Sequence, residues 1–168
     1  MHAETGEGPI EAFWRNARRH ARLENMPGYL GTQPVELVIP PVWSFGATDE
    51  HADELLDLVL SGVKTATASA EWDYEAEGEP LPRVGDLSIV TDSQGHPRAL
   101  LQTSAVEVRP FDEVDAEHAY LEGEGDRSLD HWRRVHEQFF TENSTHGRGF
   151  SPDMPIVLER FAVRYTSE

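Results

Sequence analysis

The chain has 168 residues, 38% hydrophobic and 27% charged, which suits one domain with a sizeable core and excludes a long disordered tail. Fourteen basic against 31 acidic side chains give a formal net charge of -17, so long nucleic acids, DNA included, are repelled on average and a small-molecule partner fits better. Without cysteine there is neither a disulfide framework nor a thiolate zinc site; with no leader-like or membrane-length apolar run, a cytoplasmic protein with no membrane partner is expected.

Taken in order, residues 10–23 place Ile10, Phe13, Trp14, Ala17 and Ala21 at helical spacing, with Arg15, Arg18, Arg19 and Arg22 around the other side. This predicts an amphipathic helix with a solvated basic face, within an N-terminal helical extension (1–44) packed on a single globular unit (45–168). Pro27-Gly28 ends the helix, and Pro34, Pro40 and Pro41 keep the next stretch irregular. Trp43 and Phe45 are expected to pack in the core, with Phe45 also a candidate pocket wall. Thr48 is a suitable cap for a helix over 49–60, whose buried stripe is Ala52, Leu55, Leu56, Val59 and Leu60 and whose stop is Gly62.

From Thr65 to Ala70 hydroxyl and methyl side chains alternate strictly, the pattern of a strand with small residues on both faces. Residues 71–82 read as an acidic loop, with Trp72 and Tyr74 as aromatic walls for a planar ligand. A strand over 87–91, a hairpin turn over 92–95 and a longer strand over 99–108 follow. Next come a short helix over 115–121, a glycine-rich turn, a helix capped by Ser128, a loop over 143–155 and a closing strand over 156–165. Four or five strands with inserted helices predict an α+β fold, a small mixed sheet or partly closed barrel.

The chemistry concentrates at 64–69, where an amine and three hydroxyls fall within six residues. Lys64 is the only lysine among the 14 basic residues; an amine can lose its proton at a workable pH, whereas a guanidinium cannot. The plain alternative is a solvated charge at the end of a helix. Glu122 opens the glycine-rich turn, where a carboxylate can approach the strand; an acidic surface residue is the plain alternative. The eight histidines show no HExxH spacing, and His131 and His136, five apart, point to different helix faces, so no metal site is expected. A nucleophile elbow and a phosphate-cradling loop are missing as well.

Gly62-Val63-Lys64-Thr65-Ala66-Thr67, followed by Val84-Gly85-Asp86 and then Glu117-His118-Ala119-Tyr120-Leu121-Glu122-Gly123, resembles the ASCH domain family. With the downstream Ser128-Leu129 and Trp132, the resemblance spans roughly 45–165. It implies a PUA-like mixed β-barrel with surrounding helices, related to RNA-binding modules. Some family members are metal-independent amidohydrolases of N4-acetylcytidine, and ribonuclease activity on single-stranded RNA is attributed to others.

Carried onto this chain, the amidohydrolase pattern implies Lys64 as base, Thr67 as nucleophile and Glu122 as acid/base carboxylate, with no cofactor. The chain departs from the pattern at Ser69, where shorter hydrolases tend to carry arginine. Strict alternation sets Lys64 and Thr67 on opposite faces, so the junction after Gly62 has to bend or the lysine stem has to curl. Candidate substrate contacts are Thr65, Ser69, Trp72, Tyr74, Phe45 and Arg127. The expected partner is a small nucleoside or nucleobase. Two other readings are a single-stranded RNA ribonuclease in which Arg127 or Arg148 holds phosphate, and a non-catalytic RNA-binding module that stacks bases on Trp72 and Tyr74.

Overall fold

A computed structural model describes residues 7–21 and 39–167. The turn expected at Pro27-Gly28, the stretch around Pro34 and the last two residues of the helix expected over 10–23 lie outside the described residues. Those described form the helices α1 (Pro9–His20), α2 (Asp49–Leu60), α3 (Glu71–Glu77), α4 (Ala116–Glu122) and α5 (Leu129–Glu142). The strands are β1 (Val42–Trp43), β2 (Ala66–Ala70), β3 (Leu87–Thr91), β4 (Pro97–Pro110) and β5 (Pro155–Thr166). None of these helices is long and apolar enough to cross a membrane.

The strands are ordered β1-β3-β4-β5-β2; β1 runs parallel to β3, while β3 with β4 and β2 with β5 are antiparallel. The fold is therefore α+β with a mixed sheet, as expected. Among the described residues the order ends in β1 and β2, and closure into a barrel is not seen.

Contacts divide the chain into two compact units. Of the described residues, the first takes 7–21, 39–56, 87–102 and 163–167. In it α1, started by Pro9, buries Phe13, Trp14 and Ala17 against Leu87, Ile89 and Leu100. Thr48 caps α2 as its side chain predicts, Oγ1 accepting from His51 N at 3.2 Å. The β3–β4 hairpin turns on Asp92, whose Oδ1 accepts from Gln94 N and His96 N, each at 3.0 Å.

The second unit takes residues 57–86 and 103–162. Its core joins Ala70 of β2, Phe111, Ala119 of α4, Trp132 and Phe140 of α5, and Ile156 of β5. The acidic loop expected over 71–82 begins instead as α3. Glu71 and Asp73 favour the positive end of a helix, and Gly78, at φ 68°, terminates it with its N–H directed to Glu75 O. Pro80 and Pro82 follow that stop, where proline is normally tolerated, so they did not signal a loop throughout.

Candidate active site

The segment between α2 and β2 folds back on the helix end: Val63 N and Lys64 N both donate to Leu58 O at 3.0 Å. It is then fastened to the end of α4, because Thr65 N donates to Leu121 O at 2.8 Å and the Thr65 hydroxyl lies 3.4 Å from the same oxygen. Gly123 makes this approach feasible. It adopts φ 74°, and a Cβ there would sit 2.6 Å from Val63 O, so a side chain is excluded by both conformation and space. Glu122 is thereby held directly against Lys64.

Lys64 is 2% exposed and Glu122 1%. The Lys64 Nζ donates to Ala66 O at 2.9 Å and to Glu124 Oε2 at 3.2 Å, and lies 3.4 Å from Glu122 Oε1. On α4, capped by Asp115 through His118 N at 2.9 Å, His118 and Glu122 are one turn apart on the same face. His118 Nε2 is 2.6 Å from Glu122 Oε2, the oxygen that also accepts from Trp132 Nε1. Trp132 and His136 come from the buried stripe of α5, their rings stacked 4.2 Å apart, and His136 Nε2 is 3.3 Å from Glu122 Oε1.

These contacts move the pKa values of Glu122 and His136 in opposite directions. His136 Nδ1 faces Trp132 O at 2.8 Å while Nε2 faces a carboxylate, so both ring nitrogens meet acceptors and the ring is best satisfied as an imidazolium. Burial pushes the His136 pKa down, but the Glu122 charge and hydrogen bond outweigh it, and the net direction is up. For Glu122, burial alone would raise the pKa; the charges of His136 and Lys64 and the imidazole hydrogen bonds reverse this and hold it well below the usual carboxylate range. Donors from Lys64, His118, Trp132 and His136 fill the lone-pair sites of an ionised carboxylate, which makes Glu122 an acceptor and an anchor.

Sequence spacing gave no metal motif, yet one ligand atom each from Glu122, Glu124 and His136 can be drawn within 4.8 Å of one another. The Lys64 Nζ already bonds both carboxylates, so a divalent ion bound by these three would lie beside a cation. The donor set fits an internal ion network better than a metal.

The other sequence-predicted residues fall in several places. Thr67 is half-buried on β2, paired with Glu159 of β5; none of the Lys64 or Glu122 hydrogen bonds above reaches it. Alternation directs Thr67 and Ser69 to the face away from Ala68 and Ala70, which pack on the core. Ser69 Oγ and Tyr74 Oη are 2.8 Å apart. Trp72 packs against the core cluster, its ring edge on His146 and the Arg148 guanidinium 4.7 Å from its centroid. Arg127 donates from Nε to Tyr120 O at 2.9 Å and lies 3.6 Å over the Tyr120 ring. Its left-handed backbone, φ 64°, is uncommon for a residue other than glycine. Phe45 belongs to the first unit, buried and edge-on to Trp43.

Sequence reasoning did not single out His118, His136, Trp132, Glu124 or Glu159 as site residues. The one local signal was His118 four residues before Glu122 on a capped helix; the others converge only through tertiary packing.

The sequence pattern described as ASCH domain matches residues 41–165. Protein EF3133 from Enterococcus faecalis V583 is similar in structure, with a TM-score of 0.78 and 34% identity over 92% of this chain and 87% of that one. The ASCH domain from Lactobacillus crispatus JV V101 is similar as well, with a TM-score of 0.71 and 32% identity over 91% of this chain and 99% of that one. No protein with a curated description matches the chain.

Proposed function

Taking as premise that the chain belongs to the ASCH domain family, we propose that it is a metal-independent amidohydrolase that removes the acyl group from N4-acylated cytosine nucleosides or nucleobases. The observation that carries this reading is the fully buried Lys64–Glu122 pair with its two imidazoles. A buried ion network contributes little stability compared with apolar packing of the same volume, so its presence beside a hydroxyl-bearing strand fits proton transfer better than architecture.

In the proposed reaction Thr67 Oγ attacks the acyl carbonyl and the C–N4 bond breaks. The departing amine takes a proton, and water then hydrolyses the threonine ester. Because Glu122 is held ionised, the proton for the amine comes from Lys64 or from the His136 imidazolium, with Glu122 anchoring both. Lys64 acts as the base from its neutral amine form: its stem turns from Ala66 O toward the hydroxyl, and Nζ takes the Thr67 proton and passes it to the departing amine. Arg127 and Arg148, the arginines considered for holding phosphate, are engaged with Tyr120 and with Trp72 and Glu75, which favours the amide reading over RNA cleavage.

The test is ultraviolet-monitored hydrolysis of N4-acetylcytidine by the wild type and by Lys64→Ala, Thr67→Ala and Glu122→Gln, each with and without chelator. Chelator-resistant turnover by the wild type, lost in all three variants, is expected. Turnover by Thr67→Ala removes the nucleophile assignment, and an inactive wild type removes the amidohydrolase.

A further inference from the structure

The Lys64–Glu122 network leaves one substantially buried acid unexplained. Glu159 of β5 lies directly across the ladder from Thr67, and residues directly opposite in an antiparallel pair place their Cβ atoms about 4.5–5.5 Å apart on one face. On the other side, Glu159 Oε2 accepts from the Thr103 hydroxyl of β4 at 3.3 Å. Thr67, Glu159 and Thr103 thus form a row across three adjacent strands, and Ser69 with Tyr74 flanks it.

What faces Glu159 is unusual for an acid in such a setting. Among the described residues no lysine, arginine or histidine forms an ion pair with it; its near titratable groups are Asp86, before β3, and the Tyr74 phenol of α3. Burial and then the Asp86 charge raise its pKa, opposed only by the Thr103 hydrogen bond, while Tyr74 is raised by its own burial and by Glu159 among other acids. In its protonated form, which the upward shift favours, the carboxyl presents an O–H donor beside a carbonyl acceptor, with the Thr103 hydroxyl on one side and Thr67 opposite.

We propose that Glu159 is a substrate-binding residue that pairs with the edge of a neutral heterocycle offering a ring-nitrogen acceptor beside an N–H donor. The inference rests on the amidohydrolase reading, which supplies such an edge in the N3 atom and amide N–H of an N4-acylated cytosine. With that edge on Glu159, the acyl carbon is carried toward the strand position opposite, that of Thr67. Glu122 then anchors the proton-transfer groups and Glu159 selects the ring, two carboxyl groups separated in role by environment.

The experiment measures equilibrium binding of cytidine, which has the same edge and no amide to cleave, together with N4-acetylcytidine hydrolysis, for wild type, Glu159→Gln and Glu159→Ala between pH 5 and pH 8. Glutamine also offers a donor beside an acceptor and cannot ionise. Cytidine binding by Glu159→Gln should stay within about 3-fold of the pH 5 wild type across the range, whereas wild-type affinity should fall as pH rises through the elevated Glu159 pKa. Glu159→Ala should weaken cytidine binding and raise KM, each by about 10-fold or more, with thermal unfolding confirming that it is folded.

Glu159→Ala with wild-type cytidine affinity and KM overturns the proposal and leaves the amidohydrolase standing. Glu159→Gln as impaired as Glu159→Ala also overturns it, because a neutral pairing partner would then be insufficient. A wild type that neither binds cytidine nor cleaves the amide overturns both.

Discussion

The Lys64 ammonium lies 3.4 Å from the Glu122 carboxylate, with both side chains 2% exposed. Desolvating two charges is costly, and here the cost is offset by a balanced set: Glu122 and Glu124 supply two negative charges, Lys64 and the His136 imidazolium two positive ones. Removal of one member should therefore cost more than removal of an exposed pair.

Lys64→Met keeps the length of the stem and deletes the charge. It takes the ammonium away from both Glu124 and Glu122, leaving Glu122 its imidazole and indole donors, so a loss of roughly 3 kcal/mol is expected, at the low end for breaking a buried pair. Urea denaturation at pH 6 measures it. A loss below about 1 kcal/mol, the range of exposed pairs, would contradict the burial of this network.

The pH dependence of stability follows from the two shifted groups. His136 is raised above its ordinary 6.5, so its contribution is full below that value and is lost as pH climbs through the folded-state pKa. Glu122 is depressed below its ordinary 4.5, so its contribution is present above that value and is lost as pH falls through the folded-state pKa. Stability from the pair should plateau between these two ordinary values and decline on the alkaline side above 6.5. Melting temperatures from pH 4 to pH 9 should show the alkaline decline in the wild type and a weaker one in His136→Gln. Equal slopes in the two proteins would mean that His136 carries no linked proton.

Gly123→Ala should be among the most damaging small substitutions. The added methyl meets a backbone oxygen 2.6 Å away and φ is 74°, which together cost roughly 3 kcal/mol from left-handed strain plus overpacking. Gly78→Ala is the control: its φ is 68° but nothing lies within 4 Å, so about 1 kcal/mol is expected. Similar losses at the two positions would show that the Val63 contact is not tight.

The sequence disclosed what local chemistry governs. The Thr48 and Ser128 caps, the Asp92 turn and the buried stripes of α1, α2 and α5 all rest on residues within a few positions of one another. Helix α3 escaped because its acids and the prolines after it look like loop composition, while its packing residue, Trp72, finds its neighbours in the tertiary fold. Lys64 was visible as the chain's one amine and Glu122 as the carboxylate that the family resemblance sets with it, but the groups around them were not: His118 arrives from α4, Trp132 and His136 from α5, and no spacing encodes that meeting. The pairing of Thr67 with Glu159 was hidden likewise, because it depends on the register of β2 against β5.

Asp73 of α3 offers a test away from the ion network. Its Oδ1 accepts from Thr145 N at 2.9 Å, Thr145 Oγ1 at 3.2 Å and His146 N at 3.1 Å, so one carboxylate oxygen fastens the segment after α5 onto α3. The side chain is a quarter exposed, which tempers the value of these bonds, and Asp73→Ala should cost roughly 2 kcal/mol locally. By the tenfold-per-1.4 kcal/mol relation, amide exchange at Thr145 and His146 should accelerate by about 30-fold, with little change at Trp132 in α5. Asp73→Asn, which retains an acceptor oxygen, should recover most of the protection. Unchanged exchange at Thr145 in the alanine variant would mean that the segment is held by its other contacts, the Arg148–Trp72 stack foremost among them.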